Sequence, residues 1–426
     1  MKIKKKLIVI SLNELNFDVI DYYIKKYNLK NLEEIKKNLS YTHSEKEYKF
    51  LEPWIQWISF YYGLTSSEHN VFRLGEKINT DDKNIFEIIE KKGFKVGLVS
   101  AMNIFNNLKN PDYFIPDPWT ETISDNDIWS KVLSKSISAM VKDNARKKID
   151  IKNLFYFFIT FIRFAKIKNY FNYFIIFLKS IKKKWFRSLF LDLFLHDFHM
   201  NKLKKNNTDF TNIFFNSIAH IQHHYFFNSL EGRKNNPTWY INSQDDPLKD
   251  GLILFDKILK DYFSISERFD ILIATGLRQV PYDQVKFYYR LKNHKSFFSF
   301  FGLNIIEVQE LMSRDFILKF KSKNEVNSAF EIIKNIKTLE DDKIFGDLQI
   351  QNSNLFLSLV FNKEIKNEKV KNEISNKEII LKDYTDFVAI KNGMHDEKGY
   401  IFWKDTVIPK EIKIEKIKNL IVEKYS

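Results

Sequence analysis

Residues 7–12 read LIVISL, an apolar run interrupted only by Ser11, which ends at the polar pair Asn13 and Glu14. A short apolar run bounded by polar residues is typical of a strand that is buried on both faces of a sheet. Residues 95–100, KVGLVS, and residues 270–276, DILIATG, show the same pattern. Residues 84–92, which have helical spacing and stop at Gly93, precede the second of these runs. This alternation predicts an α/β fold with a mostly parallel sheet covered by helices.

The composition supports a folded protein and limits its chemistry. The chain has 426 residues and 44% hydrophobic content, enough to bury a large core, so disordered and fibrous classes are excluded. It has no cysteine, so a metal would be held by His, carboxylate, amide or water ligands. The first apolar run is shorter than the roughly 7–15 residues of a secretory signal, and no window reaches the ~20 apolar residues of a membrane span. We therefore expect a cytoplasmic protein.

The positive charge is concentrated in one segment. Residues 152–205 contain twelve Lys or Arg and two Asp, a net of +10 out of +14 for the chain. Residues 151–200 are also rich in aromatic residues at helical spacing, which predicts an inserted helical lid or subdomain. An alternative is an amphipathic surface that binds the inner surface of an anionic membrane or a lipid-linked substrate. Nucleic acid is a weaker interpretation, because the aromatic residues follow the spacing of helix cores rather than of a base-stacking platform.

These patterns predict three regions. Residues 1–150 form the first part of the α/β core, residues 151–205 form a basic aromatic helical insertion, and residues 206–426 form the second part of the core with a small cap at about 320–385. Within the core we expect a helix over residues 17–38, a strand over 213–218 that leads into a helix rich in His, and a helix over 251–263.

Several segments resemble the alkaline phosphatase superfamily, especially its type I phosphodiesterase and nucleotide pyrophosphatase branch. The segments are a strand ending at residues 13–14, a helix over 52–63, the run 216–224, the strand end 274–279, and residues 393–395, which read GMH. The resemblance covers roughly residues 7–120 and 210–285 and the end of the chain at 393–403. It implies a sheet sandwiched by helices and a divalent metal, zinc or manganese.

The chain departs from that family at the positions that carry its chemistry. Asn13 stands where the family has a metal-binding Asp, and the family's Asp-His pair is replaced by Gly276 and Leu277. The position expected to hold a Ser or Thr nucleophile falls near Glu52 and Pro53, which have no hydroxyl group. The usual two-zinc site with a covalent nucleophile is therefore not expected.

Histidines and carboxylates still provide candidate metal ligands. His220 and His224 are four residues apart and share one face of a helix, so they could bind one metal ion, although such a pair can also be structural. The resemblance adds His395 and Asn13 to this set, and Glu14 and Glu52 are the candidate catalytic carboxylates. His223 is expected to point elsewhere.

Other candidates have a structural alternative, which for Trp54 and Trp57 is the favoured one. Glu52 precedes Pro53 and is therefore either a helix cap or a functional carboxylate. Trp54 and Trp57 would form a wall of the substrate site or pack in the core. Arg278 and Gln279 would contact an anionic substrate or lie in a solvated loop. Ser59 lies inside the helix after Pro53, away from its first turn. Three other histidines, His69, His196 and His199, are expected to be structural, surface or packing residues.

We therefore expect a metal-dependent hydrolase or transferase that acts on a phosphate ester or phosphodiester, in a small molecule or a surface glycan. The alternative is a catalytically inactive relative that binds a phosphorylated or glycan ligand. A membrane-surface or nucleic-acid adaptor that uses the basic insertion is a third hypothesis.

Overall fold

The structure is a computed structural model that describes residues 6–43, 45, 47–146, 151–229, 234–311 and 314–426. Its strands are β1 (Lys6–Leu12), β2 (Ser40–His43), β3 (Val96–Val99), β4 (Tyr113–Ile115), β5 (Phe210–Phe215), β6 (Phe269–Ala274), β7 (Arg278–Leu291), β8 (Glu307–Glu310), β9 (Asp315–Lys319), β10 (Ile336–Thr338), β11 (Phe345–Gln351), β12 (Asn354–Leu359), β13 (Lys369–Asn372), β14 (Lys377–Ile380), β15 (Thr385–Asp396), β16 (Lys398–Trp403) and β17 (Glu411–Lys413).

The α-helices are α1 (Asp21–Tyr27), α2 (Lys30–Lys37), α3 (Pro53–Tyr62), α4 (Ser66–His69), α5 (Ile85–Lys91), α6 (Ile128–Arg146), α7 (Ile151–Phe164), α8 (Tyr170–Lys182), α9 (Trp185–Lys205), α10 (Ser217–Tyr225), α11 (Pro247–Phe263), α12 (His294–Phe300), α13 (Lys323–Lys334), α14 (Leu381–Tyr384) and α15 (Ile417–Lys424).

The largest sheet in the described part of the chain has eight strands in the order β17-β2-β16-β6-β1-β5-β3-β4. The five strands β6, β1, β5, β3 and β4 are parallel to one another, and β16 is antiparallel to both β6 and β2. The mostly parallel sheet predicted from the sequence is therefore confirmed. In parallel sheets the carboxyl ends of the strands meet at one edge, which is where such folds place their functional groups.

Two hydrophobic clusters cover the two faces of this sheet. Along β1, Ile8 and Ile10 belong to one cluster and Leu7 and Val9 to the other, because successive side chains of a strand point to opposite faces. One cluster includes residues of α9, α10 and α11, and the other includes residues of α3, α5 and α15. The predicted arrangement of a sheet sandwiched by helices is confirmed, and burial on both faces explains why β1 is apolar at every position from Leu7 to Leu12 except Ser11.

Most predicted core elements appear with shifted ends. The predicted helix over 17–38 is interrupted, because Asn28 ends α1 in the left-handed conformation with φ of 53°. The strand predicted over 213–218 is β5, which ends at Phe215, and Ile218 belongs to α10. The helix predicted over 251–263 begins earlier, at Pro247, where Asp246 caps its first turn.

The chain divides into two compact units, residues 1–281 with 393–426 and residues 282–392. The second unit contains a four-stranded sheet in the order β11-β12-β9-β8 and a three-stranded sheet in the order β10-β13-β14. The predicted cap at about 320–385 lies within it. The predicted boundary at residue 150 lies outside the described residues, and the three-region division stays a prediction.

The segment predicted as a helical insertion contains α7, α8 and α9, and it belongs to the first unit. His196 and His199 of α9 are both buried. His196 Nε2 lies 3.0 Å from Asp261, and His199 contacts Tyr262 Oη at 2.8 Å and Thr211 Oγ1 at 2.9 Å. Both are packing residues that join α9 to the core.

Candidate functional site

The candidate site lies at the carboxyl ends of β6, β1 and β5, three neighbouring strands of the large sheet. Glu14 follows β1 with φ of 59°, a left-handed conformation that is uncommon for a residue with a side chain. Its amide donates to Thr275 O at 3.0 Å, and its carbonyl accepts from Gln279 N at 3.2 Å. This turn places the Glu14 carboxylate inside the molecule, with only 2% of the residue exposed.

Three side chains place one ligand atom each around a single point. Glu14 Oε2 lies 3.0 Å from His223 Nε2 and 3.1 Å from His395 Nε2, and the two Nε2 atoms are 3.4 Å apart. His395 is 5% exposed, whereas the His223 side chain is 20% exposed. The cluster is therefore open to solvent on the His223 side and buried on the other sides.

The Glu14 carboxylate is fixed by amides as well as by the histidines. Asn13 Nδ2 donates to its Oε1 at 2.8 Å, and Gln279 Nε2 donates to its Oε2. Burial by itself would raise the pKa of Glu14, but the adjacent His223 and His395 rings outweigh it and hold the pKa well below its ordinary value. Glu14 is therefore an ionised carboxylate even though it is buried.

Glu52 approaches the same cluster from the start of α3. It occupies the N-cap position, yet its side chain makes no capping hydrogen bond. Its Oε2 instead lies 3.4 Å from His395 Nδ1, and its side chain is 34% exposed. The His395 ring thus lies between two carboxylates, Glu14 at Nε2 and Glu52 at Nδ1. Of the two roles expected for Glu52, this geometry favours the functional one.

His223 takes the place that the sequence analysis gave to His220 and His224. The latter two do share one face of α10, with ring centroids 4.7 Å apart, but neither belongs to the ligand cluster within the described residues. Desolvation, followed by the charge of His223, lowers the pKa of His220 to about 4. His220 is therefore a neutral side chain at ordinary pH.

The buried stripe of α10 includes Gln222, the residue before His223. Ile218, Ile221 and Tyr225 are buried at helical spacing, and Gln222 is buried beside them. At 100° per residue, all three histidines lie outside this stripe: His223 lies beyond its Gln222 edge, His224 beyond its Ile221 edge and His220 opposite it. Gln222, which the sequence analysis missed, donates to Glu14 O at 2.7 Å and accepts from Asn16 N at 3.1 Å. It joins α10 to the turn that carries Glu14.

Asn13 supports the site without joining the ligand cluster. Its Nδ2 donates to Glu14 Oε1 and to Asn216 Oδ1, both at 2.8 Å, and its Oδ1 accepts from Trp57 Nε1 at 2.8 Å. An Asp at this position could not donate either of the first two hydrogen bonds. The Asn13 amide therefore bonds to the Glu14 carboxylate in a way that an Asp could not.

The four predicted substrate-binding residues are occupied by contacts within the protein. Trp57 is fully buried and packs over Gly276, and Trp54 Nε1 donates to Phe72 O at 3.1 Å. Arg278 donates from Nε to Asp396 at 2.7 Å and also pairs with Asp18. Gln279 is fully buried, and its Nε2 donates to Glu14 and to Ala219 O. These contacts fit structural and supporting roles.

Ser59 and His69 form a separate buried pair. His69 Nδ1 accepts from Val71 N at 3.0 Å, so the ring carries its proton on Nε2 and donates to Ser59 Oγ at 3.2 Å. Desolvation lowers the pKa of His69 to about 4. Because the imidazole donates to this hydroxyl, it is not placed to remove the proton of Ser59.

The Glu14, His223 and His395 cluster fits a divalent metal in its donor set and in its spacing. One carboxylate and two imidazoles are ordinary ligands of zinc. Zinc bonds to such atoms are about 2.0–2.1 Å long, which puts tetrahedral neighbours about 3.3 Å apart. The three separations in the structure, 3.0, 3.1 and 3.4 Å, are close to that value.

No protein-family model matches the chain, and no curated protein matches it by sequence. Murine ectonucleotide pyrophosphatase/phosphodiesterase 5 is a similar solved structure, with 10% identity and a TM-score of 0.45 over 99% of this chain and 95% of that chain. Phosphonoacetate hydrolase from Sinorhizobium meliloti in complex with phosphonoformate has 11% identity and a TM-score of 0.44 over 99% and 96% of the two chains. Alkaline phosphatase from an Antarctic bacterium has 10% identity and a TM-score of 0.39 over 100% and 99%. These proteins belong to the alkaline phosphatase superfamily, the family that the sequence resembles.

Proposed function

We propose that the protein is a metal-dependent hydrolase of phosphate esters or phosphodiesters, with Glu14, His223 and His395 as the metal ligands. The observation that carries the proposal is the convergence of three ligand atoms within 3.4 Å of one another at the carboxyl edge of a parallel sheet. A divalent cation bound there supplies positive charge that neutralises a phosphoryl group and favours the ionisation of water.

The side chains around the ligands are assigned supporting roles. Asn13 and Gln279 hold the Glu14 carboxylate by amide hydrogen bonds. Glu52 Oε2 lies 3.4 Å from His395 Nδ1, where its charge favours a proton on Nδ1 and so the tautomer that presents Nε2 to the cluster. Of the two carboxylates expected to be catalytic, Glu14 is therefore proposed as a ligand and Glu52 as a positioning residue.

Water is the proposed nucleophile. Residues 52 and 53 have no hydroxyl, and Ser59 Oγ is buried against His69. Hydrolysis forms a bond between the water oxygen and phosphorus and breaks the ester P–O bond, and the alcohol leaves with a proton. An acceptor alcohol in place of water would make the protein a transferase by the same geometry.

The proposal also includes a class of substrate and a cellular location. We propose a phosphorylated small molecule or glycan intermediate as the substrate. A reducing compartment suits a chain without cysteine, so we propose a cytoplasmic location.

The test compares two adjacent histidines. Protein purified free of metal is titrated with Zn²⁺ and with Mn²⁺ by calorimetry, and hydrolysis of p-nitrophenyl phosphate and bis(p-nitrophenyl) phosphate is measured. We expect His223→Ala to lower metal affinity by about 100-fold or more and to abolish hydrolysis, because it removes one of three ligands. His224→Ala is the matched control and should leave both properties near wild type.

Two results would overturn the proposal. Loss of metal binding in His220→Ala and His224→Ala, with His223→Ala unaffected, would show that the metal ligands are the pair predicted from the sequence. Tight metal binding in the wild type without hydrolysis of either ester would favour the inactive, ligand-binding alternative.

A further inference from the structure

Helices α7 and α8 expose an unusually apolar surface. We call this surface the apolar face. It consists of twelve large side chains that are each 44–83% exposed: Ile151, Leu154, Phe155, Phe158, Ile162, Ile167, Tyr170, Phe171, Phe174, Phe177, Leu178 and Ile181. Exposed apolar patches of this size on soluble proteins mark sites of interaction.

The apolar face is a second stripe on helices whose inner stripes are already buried. On α7, Phe157 and Phe164 are buried, and on α8, Tyr173 and Ile176 are buried. The inner rings of both helices surround Phe190 of α9, with Phe157 at 6.4 Å and Tyr173 at 5.0 Å between centroids. A surface helix needs only one apolar stripe to pack on its protein. The outer stripe is therefore not explained by the fold.

Basic side chains lie at the end of the apolar face. Lys182, Lys184 and Arg187 are exposed and make no ion pair within the described part of the chain. Other basic residues of the segment are paired internally: Lys166 with Asp261, and Lys202 with Asp127. The charge predicted from the sequence is thus only partly available, and Lys182, Lys184 and Arg187 follow the exposed aromatic residues of α8 along the chain.

We propose that the apolar face docks on the surface of an anionic lipid bilayer. Aromatic and aliphatic side chains would enter the boundary between headgroups and acyl chains, and Lys182, Lys184 and Arg187 would contact lipid phosphates. None of the described helices has the length and the hydropathy to cross a membrane, so the helices would lie in the plane of the interface.

Charge complementarity selects the bilayer over a second copy of the chain. Residues 151–191 contain no Asp or Glu. Pairing two apolar faces across a two-fold axis would bring basic rims together without acidic partners, which is unfavourable. An anionic bilayer supplies both an apolar layer and negative charge. This inference goes beyond the proposed phosphoesterase activity and does not depend on it.

The experiment is flotation of the full chain with vesicles of phosphatidylcholine alone and with vesicles that also contain phosphatidylglycerol. We expect recovery with the anionic vesicles only. The double variant Phe171→Ser/Phe174→Ser should lower the partition coefficient by about 100-fold, because two exposed aromatic contacts are lost. The triple variant Lys182→Gln/Lys184→Gln/Arg187→Gln should lower it by a similar factor of about 100.

Val407→Ser is the matched control, because Val407 is 99% exposed and lies outside the apolar face. It should bind vesicles as the wild type does. All variants change exposed side chains, and their melting temperatures verify that they fold. Equal recovery with neutral and anionic vesicles, or no recovery with either, would overturn the proposal. A dimer in light scattering that Phe171→Ser/Phe174→Ser dissociates, without vesicle binding by the wild type, would assign the face to a second copy instead.

Discussion

Replacing Gly393 by Ala tests how the strand that carries His395 is held against the site. A Cβ atom at Gly393 would lie 2.1 Å from Gln279 Oε1 and 2.8 Å from the backbone carbonyl of Gln222. The Gln279 amide cannot easily turn away, because its Nε2 already donates to Glu14 and Ala219. The backbone of α10 cannot move without moving His223.

The contact distances set the size of the effect. A carbon and an oxygen need about 3.2 Å, so the strand or the Gln279 amide would have to shift by about 1 Å. Overpacking of this kind costs about 1–3 kcal/mol of unfolding free energy. A displaced strand also carries His395 away from Glu14, so metal affinity should fall by at least about 10-fold.

Urea unfolding gives the stability, and zinc titration by calorimetry gives the affinity. Met394→Leu, a volume-conserving change between Gly393 and His395, is the control and should alter both by little. Wild-type stability and wild-type zinc affinity in Gly393→Ala would refute the reasoning, because they would show that the strand does not bear on Gln279 and Gln222.

Two further predictions concern buried polar groups. Burial raises the pKa of the Asp192 carboxyl group to about 6, so its ionised form is disfavoured in the folded state. The contribution of Asp192 to the unfolding free energy is therefore full at low pH and is lost as the pH rises through that value. The unfolding free energy of the wild type minus that of Asp192→Asn should therefore fall by about 3 kcal/mol between about pH 4 and about pH 7, and a constant difference would contradict this. Trp57→Phe removes the hydrogen bond to the buried Asn13 Oδ1, which should cost about 1–3 kcal/mol of stability in urea unfolding with an unchanged KM for p-nitrophenyl phosphate. A changed KM at wild-type stability would instead place Trp57 in contact with substrate.

The sheet was predictable because its central strands have a recognisable sequence pattern. Residues 7–10 and 271–274 are apolar at every position, as strands buried on both faces require, and they lie in β1 and β6. The ends of elements were less predictable. The strand predicted over residues 213–218 ends at Phe215, because the polar pair Asn216 and Ser217 begins α10, and the apolar Ile218 after them belongs to the helix.

The site was predictable only as far as its location. Glu14, Glu52 and His395 were selected from the sequence, and the structure brings them together. The choice among three histidines of α10 depended on which face of the helix meets the sheet edge, and that is a property of tertiary packing. The support roles of Asn13 and Gln279 depend on contacts between residues far apart in the chain, up to 265 positions for Gln279 and Glu14.

The left-handed backbone of Glu14 has a consequence for engineering. A non-glycine residue in this region costs about 1–2 kcal/mol, and Gly or Asn would occupy the turn with less strain. Selection for stability and selection for metal binding should therefore favour different residues at position 14. A library screened for heat resistance alone should drift toward Gly or Asn at this position, whereas a library screened for metal loading should keep a carboxylate in spite of the strain.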